Sequence, residues 1–224
     1  MAAPGNTRER LLDATMHLMW RDGYGAVGVD LICRTAQVNK GSFYHHFRSK
    51  EDLTVSALEA TWEMADHGIY RIAFDPQHPP LERINRLAEM TYGFHHGHGI
   101  DEWEAEQGCP FGNLGAETGV ANSRIRETVQ DVYEREAAYF RGALTDAVTQ
   151  GHIPDQDVGD TARTLVALQT GLLSHGKIYN DIGWFKLFIP TAAGIIGAGV
   201  EPRPGAGNEA TSLGAALVPW NPPA

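Results

Sequence analysis

The stretch NKGSFYHHFRSKEDL, residues 39 to 53, sets cations, rings and a glycine side by side, a combination suited to holding phosphate and reading hydrogen-bonding edges. On a helix from Lys40 to Phe47, Phe43 and Phe47 lie four positions apart and share one face, which a core can take. Lys40, Ser42, Tyr44, His45 and Arg48 are then left for the outer surface. Lysine and arginine neutralise phosphates, while tyrosine, serine and histidine donate hydrogen bonds to a nucleic-acid backbone or to base edges. Gly41 lets the start of the helix approach a partner closely. Lys50, in the first turn of the following helix, is in reach of a phosphate that also senses that helix's N-terminus. The competing reading, a solvated helix face over two core anchors, needs composition alone and says nothing about the order of the residues.

These side chains need short helices at fixed angles to present them, and the surrounding sequence reads almost entirely as helix. From Thr7, the apolar residues Leu11, Leu12, Met16, Leu18, Met19 and Trp20 recur at helical spacing until Gly23 stops the run. Val29, Leu31 and Ile32 lead a short second helix, with Asp30 in an early turn where an acid suits the dipole. Asn39 is placed to cap a third short helix. Ser49-Lys50-Glu51-Asp52 matches a capping box that opens a long fourth helix, read as running through Trp62 toward Phe74 before Asp75-Pro76 and Pro79-Pro80 break it. Two short helices joined by a tight turn and locked by flanking helices form the helix-turn-helix arrangement, whose second member enters the major groove.

Charge supports a phosphate-facing head. The net charge of −10 argues against a polyanionic partner, but residues 1–50 hold seven Lys or Arg against four acids, leaving eleven against twenty-four in the rest. A cationic head thus joins an acidic body.

The segment GYGAVGVDLICRTAQVNKGSFYHHFRSKEDL, residues 23–53, resembles the DNA-binding domain of the TetR family of bacterial one-component transcriptional regulators, most closely in KGSFYHHF followed by SKEDL. The resemblance implies an all-α fold: a helix-turn-helix domain over 1–53 and an effector-binding and dimerisation domain over 54–199. It implies a homodimer on a palindromic operator, usually repressing, released by a small molecule. DNA contacts are then expected from Val29, Gln37, Asn39, Lys40, Gly41, Ser42, Tyr44, His45, Arg48 and Lys50. Two positions depart from the pattern. Val27-Gly28 stands where the family commonly opens its second helix with Thr or Ser, so a hydroxyl cap is replaced by a weak glycine cap. Gln37 stands where the turn often has glycine, so a positive φ there would cost on the order of 1 kcal/mol.

The body offers an effector pocket of Trp62, Met90, Phe94, Trp103, Cys109, Phe111, Asn113, Glu117 and Tyr133, suited to a mostly apolar molecule with one polar group. By resemblance the last two helices, Asp157 to Tyr179 and Trp184 to Ile196, build a four-helix bundle across a two-fold axis, with Leu165, Leu168, Leu172, His175, Phe185 and Phe188 at the interface. Those stripes could equally be monomer core, and Pro190 should kink the last helix or set a new start. Residues 106–117, EQGCPFGNLGAE, resemble a segment found in a subset of TetR-like regulators.

Cys109 reads either as a reactive sensor or as a buried structural thiol, and the absence of nearby Lys or Arg in sequence favours the second. The cluster HHGHG from His95 raises a metal-responsive alternative, but no Cys or carboxylate keeps helical spacing with it, so a solvated loop and no metal is the expectation. No cofactor motif, G-x-S-x-G, H-E-x-x-H or P-loop appears, so an enzyme built on Cys109 is not expected. Two cysteines give no disulfide framework, and no apolar run is long enough for a signal peptide or membrane span; a cytoplasmic protein is expected. From residue 200 onward, Pro, Gly and Ala without periodic spacing read as a disordered tail, residues 200–224.

Overall fold

A computed structural model describes residues 6–97 and 107–198. Helices α1 (Thr7–Asp22), α2 (Val29–Thr35), α3 (Lys40–His46) and α4 (Lys50–Ala65) come first. A π-helical turn, Asp66–Tyr70, and a single turn α5 (Arg71–Ala73) follow, then α6 (Pro80–Gly97), α7 (Pro110–Thr118), α8 (Ser123–Thr149) and α9 (Val158–Tyr179). A 3-10 segment, Ile182–Leu187, leads into α10 (Phe188–Ile196). Among the described residues there is no strand, and no helix is long and apolar enough to cross a membrane. The expected Trp103, His98 and tail 200–224 lie outside the described residues.

The chain divides into two compact units: Met1–Ala65 with Cys109–Val132, and Asp66–Gly108 with Tyr133–Ala224. In the first, α1 packs on α2, α3, α4 and α7. Its start is fixed by a reciprocal box: the Glu9 N–H donates to Asn6 Oδ1 at 3.1 Å and the Asn6 N–H to Glu9 Oε2 at 3.0 Å. Leu11, Met19, Ile32, Phe43, Leu53, Leu58, Leu114 and Ile125 are wholly buried, each contributing roughly 1.5–3 kcal/mol of apolar burial. In the second unit Leu81, Ile84, Leu87, Phe140, Leu144, Leu165 and Phe188 form the core. The buried Arg83 bolts it: its guanidinium donates to His78 O, Pro76 O and, at 2.6 Å, to Asp146 of α8.

Two helices differ from the sequence reading. The fourth does not run regularly to Phe74; at Asp66 it widens into the π turn, where Asp66 accepts hydrogen bonds from Tyr139 of α8 and from Arg71 at 2.6 Å. Burial alone would raise the Asp66 carboxyl, but those two donors outweigh it and lower its pKa. The last helix starts at Phe188 rather than Trp184, which puts Pro190 in the first turn, where a missing N–H costs no helical bond.

Candidate nucleic-acid interface

The surface of α3 is set by its two anchors. Phe43 and Phe47 are buried, with ring centroids 6.2 Å apart, so the rest of the helix is turned outward. Asn39 Oδ1 accepts from the Ser42 N–H at 2.8 Å and fixes the helix start. A Cβ on Gly41 would meet that same oxygen at 3.2 Å, so the glycine leaves room for the cap. Lys40, Gly41, Tyr44, His45, His46 and Arg48 are exposed and Ser42 is half-buried. Tyr44, 59% exposed, stands edge-on to Phe43 with centroids 4.9 Å apart, so one ring contact supports a donor group that reaches solvent. His46 is exposed, like His45, its ring against those of His45 and Phe47 rather than inside the core.

The turn between α2 and α3 carries the expected strain. Gln37 has φ +53°, in the left-handed region, and its carbonyl accepts from Arg10 Nη1 at 3.5 Å. Val29, half-buried, begins α2, and Gly28 caps it without a side-chain bond. Lys40 is paired with Asp30 of α2 at 2.6 Å, both side chains well exposed, so the ammonium can exchange this partner for a phosphate.

Lys50 has a different occupation from the one its position suggests. Its ammonium donates to Tyr24 O at 2.9 Å and Val27 O at 3.1 Å, and sits 3.8 Å from the centroid of the Tyr24 ring. Burial lowers its pKa, with Glu117 partly opposing. Glu117, expected in a pocket, holds the same loop by its donors: its carboxylate accepts from the Tyr24 and Gly25 N–H groups at 2.7 Å each. A Cβ on Gly23, at φ +85°, would lie 2.7 Å from Glu117 Oε2, so this approach requires glycine. The loop that delivers the chain from α1 to α2 is therefore clamped through its donors by α7 and through its acceptors by α4. At the base of α4, Glu51 accepts from Asn122 at 2.7 Å and from Arg124 at 3.0 Å. Ser49 Oγ caps the same helix through the Asp52 N–H at 3.0 Å.

The remaining expected residues are distributed over both units. Of the pocket set, Trp62, Cys109, Phe111, Asn113 and Glu117 belong to the first unit, and Met90, Phe94 and Tyr133 to the second. Cys109 is buried and caps α7, its sulfur accepting from the Gly112 N–H at 3.3 Å. Of the interface set, Leu165, Phe185 and Phe188 are buried inside the single chain, Phe185 and Phe188 stacked at 5.4 Å. A ring already enclosed has no face to offer a partner. Leu168 and Leu172 are half-buried and His175 is exposed, and the exposed Ile178 and Tyr179 follow His175 at the end of the same helix. No group of three or more metal-binding side chains occurs among the described residues.

A short helix anchored by two phenylalanines, bearing cations and donor rings and joined by a tight turn to a second short helix, is a helix-turn-helix DNA-binding domain. Residues 11–57 match the family described as bacterial regulatory proteins, tetR family, and residues 80–190 match the tetracyclin repressor-like C-terminal domain. The chain belongs to the TetR family of transcriptional regulators. The transcriptional regulator AcuR of Cereibacter sphaeroides is 32% identical over 152 residues, 66% of this chain and 67% of its own. The transcriptional repressor NemR of Escherichia coli K12 is 46% identical over 54 residues, 24% of this chain and 27% of its own. The crystal structure of a regulatory protein TetR from Rhodobacter sphaeroides superposes with a TM-score of 0.75 at 27% identity, covering 85% of this chain and 99% of that one.

Proposed function

We propose that this regulator is a cytoplasmic repressor that binds a palindromic operator as a homodimer and is released by a small-molecule effector. DNA binding is assigned to residues 1–53, effector binding and dimerisation to 54–199. The observation that carries the reading is the outer face of α3, where Lys40, Ser42, Tyr44, His45 and Arg48 stand clear of the two buried phenylalanines. Asn39, Gly41, Gln37 and Val29 set the approach of that face, while Lys50 acts on the loop before α2. NemR, similar over the head, carries the description of a repressor. Two recognition helices in a dimer reach successive major grooves when about 34–36 Å apart. Leu168, Leu172 and His175, with Ile178 and Tyr179, are the surface we assign to the partner copy. An effector acts by preferring one spacing of the two heads over another.

Selection of random duplexes with the full chain, followed by sedimentation of the complex, tests this. A palindromic site bound by two copies is expected; a bound single copy, or no enriched sequence, contradicts it.

A further inference from the structure

Glu136 of α8 is 3% exposed, in the second unit. Tyr70, on the π turn, hydrogen-bonds to it, and the Tyr70 hydroxyl in turn accepts from Gln169 Nε2 of α9 at 2.9 Å. Gln169 is 6% exposed, and its Oε1 has no hydrogen-bond partner among the described residues. Burial pushes the Glu136 carboxyl up to about 8, opposed only by the Tyr70 hydrogen bond; no cation contributes. The nearby acid on the same turn, Asp66, already has Arg71 and Tyr139. Rings complete the surroundings of Tyr70: Phe74 lies parallel at 6.4 Å, Tyr139 is tilted at 5.4 Å, and Phe140 stands edge-on to Phe74 at 5.4 Å.

A buried acid without a cation, beside a buried amide oxygen without a donor, is an arrangement that a folded protein seldom keeps for stability alone. A cationic donor supplies what each group lacks, a counter-charge for the acid and a hydrogen-bond donor for the amide oxygen. Aromatic faces favour the same occupant, because their quadrupole attracts cations. An alcohol would satisfy one oxygen and leave the acid neutral; a carboxylate would set two acids together.

We propose that Glu136, Gln169 and Tyr70 form the polar end of the effector site, and that the effector carries a protonated amine on an apolar tail. The proposal rests on the reading of the chain as an effector-released regulator and gives that effector its chemical class. The ammonium donates to the Glu136 carboxylate and to Gln169 Oε1, and Glu136 gives its own proton to solvent. Because Tyr70 sits on the π turn that follows α4 in the chain, an occupant here acts on the segment next to that helix, and π turns are often placed at functional positions.

The test uses the full chain and two matched probe sets: phenethylammonium, 2-phenylethanol and 3-phenylpropanoate, and octylammonium, 1-octanol and octanoate. At least one amine is expected to raise the melting temperature more than its matched alcohol and acid. Glu136→Gln, which keeps the shape and hydrogen bond of the neutral acid, should weaken that amine at least tenfold, and Tyr70→Phe, which keeps the ring stack, should weaken it less. The assignment is overturned if no amine outperforms its matched alcohol, or if Glu136→Gln binds the amine as the wild type does. Adding the amine to the DNA complex separates the two readings. Release of DNA supports both; amine binding through Glu136 with DNA still held supports the site and overturns effector release.

Discussion

Replacing Glu117 by Ala removes one carboxylate that accepts two backbone N–H groups at 2.7 Å each, from a loop more than ninety residues away in sequence. A hydrogen bond to a charged acceptor contributes roughly 1.5–3 kcal/mol. Glu117 is exposed, so screening by solvent reduces the pair to about 2 kcal/mol in total. Gly25 is exposed and Tyr24 half-buried, so losing the acceptor adds little burial penalty. With a urea dependence of about 2 kcal/mol per molar, the unfolding midpoint of the first unit should fall by about 1 M. Glu117→Gln should recover about half, since its amide oxygen accepts one N–H while its NH2 faces the other donor. Hydrogen exchange gives the local readout: the Tyr24 and Gly25 amides should lose protection in Glu117→Ala while those in the middle of α1 keep theirs. An unchanged midpoint together with unchanged exchange at these two amides would refute the clamp.

Lys50→Met should destabilise the fold by about 1–2 kcal/mol, from two carbonyl acceptors and a cation–π contact, and leave the salt dependence of DNA binding as in the wild type; a slope lowered by about one would return Lys50 to the phosphate contacts. Glu136→Gln should be more stable than the wild type near neutral pH. The Glu136 carboxyl rises from 4.5 to about 8 on folding, so the folded wild type holds a proton that the unfolded chain has released between those values. Wild-type stability is full below about 4.5 and falls as pH rises toward 8, by about 1.4 kcal/mol per pH unit, whereas the Gln variant has no such loss. Urea titrations at pH 5, 6, 7 and 8 that show a constant gap between the two proteins would contradict this.

How much the amino-acid sequence reveals follows from the range of each interaction. Asn39, Ser49 and Gly28 act as caps within three or four residues, and Phe43 with Phe47 share a helix face by spacing alone, so the outward face of α3 is legible in the sequence. The positive φ of Gln37 is suggested only by the family resemblance, in which glycine often holds that turn position, and not by the residues around it. Glu117 and Lys50 are not: each reaches a loop from a distant position, and a carboxylate or ammonium looks the same in sequence whether it faces a ligand, a phosphate or a backbone amide. Phe185 and Phe188 show the same limit for apolar residues, since a stripe facing its own core has the spacing of one facing a partner. The π turn at Asp66 depends on Tyr139 and Arg71, and the first of these lies seventy-three residues on.

Fluorescence anisotropy of a selected duplex, titrated with the wild type and with Lys40→Ala, Tyr44→Ala and Arg48→Ala across potassium chloride concentrations, tests the α3 surface most directly. The wild type should lose affinity steeply with salt, and Lys40→Ala and Arg48→Ala should each reduce the slope by about one. Tyr44→Ala should weaken binding with little change in slope. Affinity indifferent to salt and to all three substitutions would contradict the assignment of α3 as the DNA-reading helix.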